Sequence, residues 1–113
     1  MLTTKKLYRL IKKAVKNRYN VDTNYQIHKV MECSQTTVRN WEDGKVMDAE
    51  SARKAAVFLN LDEHYIMACV SAERAKDEKT KQSWLTLAAS LAAGFASFAV
   101  IISYTVQYSG VLA

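Results

Sequence analysis

Asn24-Tyr-Gln-Ile-His-Lys-Val-Met-Glu-Cys-Ser-Gln-Thr-Thr-Val-Arg-Asn-Trp-Glu-Asp-Gly-Lys45 carries two short helical signals with a tight break between them near Cys33. Thr23 and Gln26 have the S/T-x-x-Q spacing of a capping box, in which two otherwise unpaired backbone N–H groups are satisfied at a helix start. The helix they open turns Ile27, Val30 and Met31 inward. Ser34 is a strong N-cap for the next helix, Gln35 to about Asp43, whose apolar residues Val38 and Trp41 are spaced for one face. Gly44 suits the left-handed residue that commonly ends a helix. The second helix therefore has a buried Val38–Trp41 pair and an outer face of small polar side chains.

Working outward, the same grammar continues. Upstream, Leu7, Leu10, Ile11, Ala14 and Val15 fall on one face of a helix running from about Thr4 to Arg18, with Arg9, Lys12, Lys13 and Lys16 on the other. Downstream, Asp48 caps a helix containing Ala52, Ala55, Ala56, Phe58 and Leu59, and Asn60 can end it. Asp62 caps a fifth, with Tyr65, Ile66, Cys69 and Val70 as its buried set. There is no proline, and only Gly44, Gly94 and Gly110 interrupt the run. The expectation is an all-α domain of five helices. Nothing between Ala75 and Trp84 forces a break, so the fifth helix is free to run on, or to fray around residues 79–82.

The C-terminal end has a different character. From Ser83 to Ala113 there is no Asp, Glu, Lys, Arg, His or Pro. A spanning helix needs about 20 mostly apolar residues, which residues 84–106 supply. The expected anchor residues are Trp84, Leu85, Leu91, Gly94, Phe95, Phe98, Ile101, Ile102 and Tyr104, with the aromatics at the two ends at headgroup level. Arg74, Lys76, Lys79 and Lys81 precede the stretch, and such flanking cations stay on the cytoplasmic side. The reading is a soluble module over residues 1–73, a basic juxtamembrane segment 74–83, a single transmembrane helix 84–106, and a short non-cytoplasmic tail 107–113. The competing reading is a buried or dimerisation helix of a soluble protein. Ser90 and Gly94, and Ala89, Ala93 and Ser97, are small residues at four-residue spacing, a pattern that lets spanning helices approach closely. It points to a homodimer.

Charge is unevenly spread over the 113 residues, whose net charge is +5. Residues 1–21 hold Lys5, Lys6, Arg9, Lys12, Lys13, Lys16 and Arg18 with no acid, whereas residues 22–73 are net acidic. The basic face fits phosphates or anionic lipid headgroups, or is simply solvated. Residues 1–18 are too charged for a signal peptide. Cys33 and Cys69 are too far apart for a CxxC motif, and His28 and His64 have no matching ligands nearby, so no metal is expected. With no nucleophile–base, paired-carboxylate or phosphate-loop pattern, neither catalysis nor a cofactor is expected.

The block from Asn24 to Lys45 resembles the lambda-repressor/Cro type of helix-turn-helix. Ser34-Gln-Thr-Thr-Val-Arg-Asn-Trp-Glu-Asp-Gly-Lys45 looks like that family's recognition helix and its Trp-Glu-x-Gly-Lys exit. The Ala-rich helix and the Leu-Asn-Leu-Asp-Glu turn at 59–63 extend the likeness to roughly residues 4–70. What the resemblance implies is a helix whose N-terminal residues enter the major groove. Gln35, Thr36 and Asn40 would then face base edges, and Arg39 a base or a phosphate. Ser34, Thr37, Gly44 and Lys45 would contact phosphates. Gln and Asn can bond adenine N6 and N7 bidentately, and a helix N-terminus favours phosphate. Two positions depart from the pattern: His28 stands where the family often has a small residue, and Glu32 where it has a turn glycine. Glu32 costs little there if its backbone stays out of the left-handed region.

The arrangement also resembles a family of small, uncharacterised phage-related proteins found with filamentous phages and prophages, which have a similar start and an Ala-Glu-Arg-Ala-Lys run, here Ala72 to Lys76. That likeness implies a bacterial or phage origin, hence the bacterial inner membrane with the domain in the cytoplasm. The function expected is that of a membrane-anchored, sequence-specific binder of double-stranded DNA, regulating transcription or localising phage or bacterial DNA. RodZ-type bacterial proteins are similar in layout and use the domain to bind a protein, a reading favoured by the acids at 42, 43, 48 and 50. A third reading is a phage membrane protein acting in assembly or superinfection exclusion.

Overall fold

Helix α1 (Thr4–Tyr19) begins where the Thr3 hydroxyl accepts the Lys6 N–H at 3.3 Å, and it ends at Asn20 in the left-handed conformation, whose N–H bonds the Lys16 carbonyl. Leu7, Tyr8, Ile11 and Val15 are its buried apolar residues. The apolar stripe is thus rotated toward Tyr8, and Leu10, expected inside, is 38% exposed. α2 (Asn24–Met31) is capped by Thr23, which accepts from the Gln26 N–H at 3.2 Å. α3 (Gln35–Glu42) is capped by Ser34, which accepts from the Thr37 N–H at 3.0 Å. α4 (Ala49–Leu59) starts at Asp48, bonded to the Ser51 N–H at 2.7 Å, and stops at left-handed Asn60. α5 (Glu63–Arg74) starts at Asp62, bonded to the Tyr65 N–H at 2.9 Å. The caps at Thr23, Ser34, Asp48 and Asp62 stand where the sequence puts them, because each satisfies a backbone donor that the helix leaves open.

This computed structural model describes residues 1–109, with 94–109 described only as the continuation of the last helix, α6 (Glu78–Ser109). Among the described residues the chain is all-α, with six helices and no strand. The expectation that nothing breaks the chain between Ala75 and Trp84 is corrected. Ala75 turns extended (ψ 134°), and Asp77 caps α6 by accepting the Thr80 N–H at 2.9 Å. Arg74 closes α5, and 78–83 form the first turns of α6. The chain doubles back, and α6 runs antiparallel along α5. Trp84 borders a surface hollow with Ser71, Arg74 and Ala75; Ala88 is buried against Ala68 and Cys69; Ala92 borders another hollow with Asp62 and Tyr65.

Among the described residues, no helix is long and apolar enough to cross a membrane. The expected span over 84–106 lies partly outside them, since nothing is described of the side chains of Gly94, Phe95, Phe98, Ile101, Ile102 and Tyr104. Within the described part, Leu85 and Leu91 are half-buried. Ala89, Ser90 and Ala93 of the small-residue strip face outward; Gly94 and Ser97 of that strip lie beyond.

One core holds α1 to α5 together. Leu7, Ile11, Ile27, Val38, Met47 and Ile66 are almost wholly buried and meet Trp41, Val70 and the alanines of α4. Each large aliphatic removed from water in this way contributes about 1.5–3 kcal/mol before chain entropy is counted. Polar bonds then join the two ends of the domain. Thr4, fully buried, donates its N–H and its hydroxyl to Glu73 Oε1 at 2.9 and 2.7 Å, and its hydroxyl accepts the Met47 N–H at 3.0 Å. Arg74 Nη2 donates to the Met47 carbonyl at 2.6 Å. The start of α1, the α3–α4 loop and the end of α5 are fixed as a unit.

The break between α2 and α3 brings a second correction. Glu32 has φ 54° and ψ 52°, inside the left-handed region where a Cβ crowds the backbone. The conformation is held locally: Cys33 N–H reaches the His28 carbonyl at 3.1 Å, and Lys54 Nζ donates to the Glu32 carbonyl at 3.2 Å. His28 contributes as well, with Nδ1 at 3.0 Å from the Cys33 carbonyl and its ring edge-on to Tyr25.

Candidate nucleic-acid interface

Burial of Val38 and Trp41 fixes which way α3 faces, and that leaves Gln35, Thr36 and Arg39 on its exposed side. With Asn24 and Glu42 they line a shallow groove between α3 and the start of α2. Asn40 is half-buried at the edge of this face, and its carbonyl accepts the Lys45 N–H at 2.9 Å. Ser34 and Thr37 share a hydroxyl–hydroxyl bond of 2.8 Å above the cap, so the first turn of α3 presents ordered polar groups. Gly44 has φ +86°, and its N–H bonds the Trp41 carbonyl at 3.0 Å. A Cβ at Gly44 would meet only Lys5 Cδ at 3.9 Å, ordinary contact. The sign of φ, not crowding, is what favours glycine there.

The expected residues thus come together around α3, with Ser34, Gln35, Thr36, Arg39 and Lys45 exposed and Thr37, Asn40 and Gly44 half-buried. Gly44 also brings in a residue the sequence reading did not include. The Lys5 side chain, from the basic face of α1, passes beside Gly44 at the exit of α3.

Tyr8, bonded to two residues that line the groove, is a second feature without a local sequence signal. Tyr8 is 5% exposed, and its hydroxyl lies 2.6 Å from Asn24 Oδ1 and 3.0 Å from Glu42 Oε2, sharing one proton between them. Asn24 Nδ2 donates to the other Glu42 oxygen at 3.2 Å. Burial first, then the Glu42 carboxylate, push the Tyr8 phenol up to about 12, so it remains a donor. This triad ties α1, α2 and α3 together beneath the polar face.

Several acids near α3 have partners within the domain. Glu42 is in the triad; Asp48 caps α4, and the hydrogen bonds from Ser51 hold its carboxyl below the usual range. Glu50 lies 3.8 Å from Lys54. Asp43 and Glu32 are exposed. Burial raises the Cys33 thiol, and Cys69 is buried beneath α6. Among the described residues no group of three or more His, Cys, Asp or Glu could hold a metal ion.

No family model matches the chain, and neither the curated proteins nor the solved structures give a match.

Proposed function

We propose that this chain is a membrane-tethered protein that binds double-stranded DNA through a helix-turn-helix formed by α2 and α3. One observation carries the reading: α3, its first turn ordered by the Ser34 cap, offers Gln35, Thr36 and Arg39 outward, with Lys45 and the Lys5 side chain at its exit. Gln35 and Asn40 read base edges, and Arg39 takes a guanine or a phosphate; a good bidentate pair contributes about 1–3 kcal/mol of discrimination. Lys45, Lys5, the Gly44 backbone and the hydroxyls of Ser34 and Thr37 hold phosphates and set the register. Binding falls as salt rises, because phosphate neutralisation releases counterions. The apolar C-terminal half of α6 anchors the domain at the bacterial inner membrane. A homodimer places two α3 helices on half-sites one DNA turn apart, as a regulator or DNA-localising factor of a phage or its host.

The test is selection from random duplex DNA with the full chain in nanodiscs, beside the Gln35→Ala/Asn40→Ala double variant. A two-fold symmetric motif that vanishes in the variant supports the reading. Retention without sequence enrichment, equal in both proteins, refutes it.

A second reading, a protein-interaction module of RodZ-like layout, rests on a different surface. Val57 of α4 is 73% exposed, and with Val30 and Phe58 it lines an apolar groove between α2 and α4 edged by Arg18, Arg53 and Lys54. A photo-crosslinking residue at position 57 that captures one stoichiometric protein in cells would favour it.

A further inference from the structure

The geometry points to a membrane boundary at Ala92 on α6, with the end of the domain around Met1, Leu61 and Tyr65 resting on an anionic bilayer surface. This rests on the anchor reading above, and it moves the span two turns toward the C-terminus.

The register between α5 and α6 carries the argument. Trp84 stands at the level of Ser71 to Ala75, Ala88 at Ala68 and Cys69, and Ala92 at Asn60 to Tyr65. Ala88, Ala68 and Cys69 are each at most 1% exposed, with Leu2, Tyr65 and Leu91 packed around them. α6 therefore travels beside α5 as far as Ala92 and passes the start of α5 only there. A bilayer beginning at Trp84 would have to take in the whole flank of α5. That includes Asp62, which holds the α5 cap, and the Arg53–Glu63 pair at 2.9 Å. Ionised groups are costly inside hydrocarbon. The outward side of residues 84–92 also suits water or headgroups, since it sets Thr86, Ala89 and Ser90 beside Leu87 and Trp84.

The shifted span still has an apolar stretch of sequence to draw on: residues 93–113 contain no charged side chain, and a spanning helix needs about 20 mostly apolar residues. The end of the domain where α6 leaves α5 has matching chemistry. Met1 is 49% and Leu61 38% exposed; the Met1 sulfur lies 3.9 Å from the Tyr65 hydroxyl. Lys6 Nζ sits on the Met1 carbonyl at 3.2 Å. Two apolar side chains and the Lys6 cation fit a headgroup layer, while Asp62 is held in the α5 cap and Glu63 is paired with Arg53.

The experiment uses the full chain with Cys33→Ser and Cys69→Ala, and single cysteines placed by Leu87→Cys or Ala99→Cys. It is reconstituted in phosphatidylethanolamine–phosphatidylglycerol vesicles with the domain outside, and labelled with a membrane-impermeant maleimide. Modification at position 87 should be at least about tenfold faster than at position 99. Equal protection at both positions overturns the inference and leaves the anchor reading standing. Equal, rapid modification at both refutes the anchor reading and this boundary with it. A second measurement leaves the cysteines in place. In Trp41→Phe, where Trp84 is the only tryptophan, aqueous iodide should quench the fluorescence more than bilayer-core brominated lipid does. The opposite order places Trp84 inside the hydrocarbon and overturns the boundary.

Discussion

Replacing Glu32 with glycine should stabilise the domain. Glu32 sits at φ 54° and ψ 52° at the end of α2, and its exposed side chain makes no hydrogen bond or ion pair among the described residues. A non-glycine residue in that conformation costs about 1–2 kcal/mol. Glycine removes that cost but adds about 0.5–1 kcal/mol of backbone entropy lost on folding. The net expectation is a gain of about 0.5–1 kcal/mol, or roughly 2–8 °C in Tm for a domain of this size. The bonds that define the turn, Cys33 N–H to the His28 carbonyl and Lys54 Nζ to the Glu32 carbonyl, use backbone atoms of residue 32 or none, and survive the change. The assay is urea unfolding of the full chain in detergent micelles, followed by the fluorescence of buried Trp41. Glu32→Ala is the control, since it removes the charge and keeps the strained backbone with its Cβ. If Glu32→Gly is no more stable than the parent, or Glu32→Ala gains as much, strain at this turn is not the cause.

Four further outcomes are expected. Thr4→Val leaves the buried Met47 N–H without its acceptor and Glu73 without its donor hydroxyl, and should cost about 1–3 kcal/mol in the same unfolding assay. Tyr8 has a folded pKa of about 12 against the ordinary 10.0, so the stability it contributes is complete below pH 10 and lost as pH rises toward 12; burial raises Tyr65 as well, so absorbance titration should show late tyrosine ionisation of which Tyr8→Phe removes the component near 12. Cutting the chain after Lys81 uncovers Ala68 and Cys69; it should leave a domain about 2–3 kcal/mol less stable than one cut after Ala93, at about 25 cal/mol per Å² of apolar area. Lys5→Ala and Lys45→Ala should each weaken duplex binding about equally across sequences, and each lower the slope of log affinity against log salt by about 1.

Much of the fold was legible because it is written locally. Thr23, Ser34, Asp48 and Asp62 cap the helices that the apolar spacing outlines, and Gly44 and Asn60 take the left-handed positions expected of them. Such signals act within a few residues, so a sequence displays them. The break before α6 also had its signal, Asp77 followed by Glu78 in the first turn, but the run of charges around it reads equally as a solvated helix face. Leu10 and Tyr8 flank the same stripe of α1, and only packing against α2 and α3 decides which goes inside. Tyr8 goes in because Asn24 and Glu42, 16 and 34 residues away, accept from its hydroxyl. Thr4 and Glu73 meet across 69 residues, a contact no periodicity reports. At the candidate site, Gln35, Thr36, Arg39 and Lys45 came from the resemblance to a helix-turn-helix; Lys5 was invisible as a neighbour because it arrives from another helix.

The proposed function requires the first turn of α3 to touch DNA while the chain is at a membrane. The measurement is a photo-crosslinking amino acid at Thr36 in the full chain, activated in living bacteria, with membranes isolated before the adducts are analysed. DNA adducts are expected in the membrane fraction at a reproducible set of sequences, lost when Gln35→Ala and Asn40→Ala are added. Adducts to protein alone, or DNA adducts scattered without sequence and unchanged in the double variant, would contradict it.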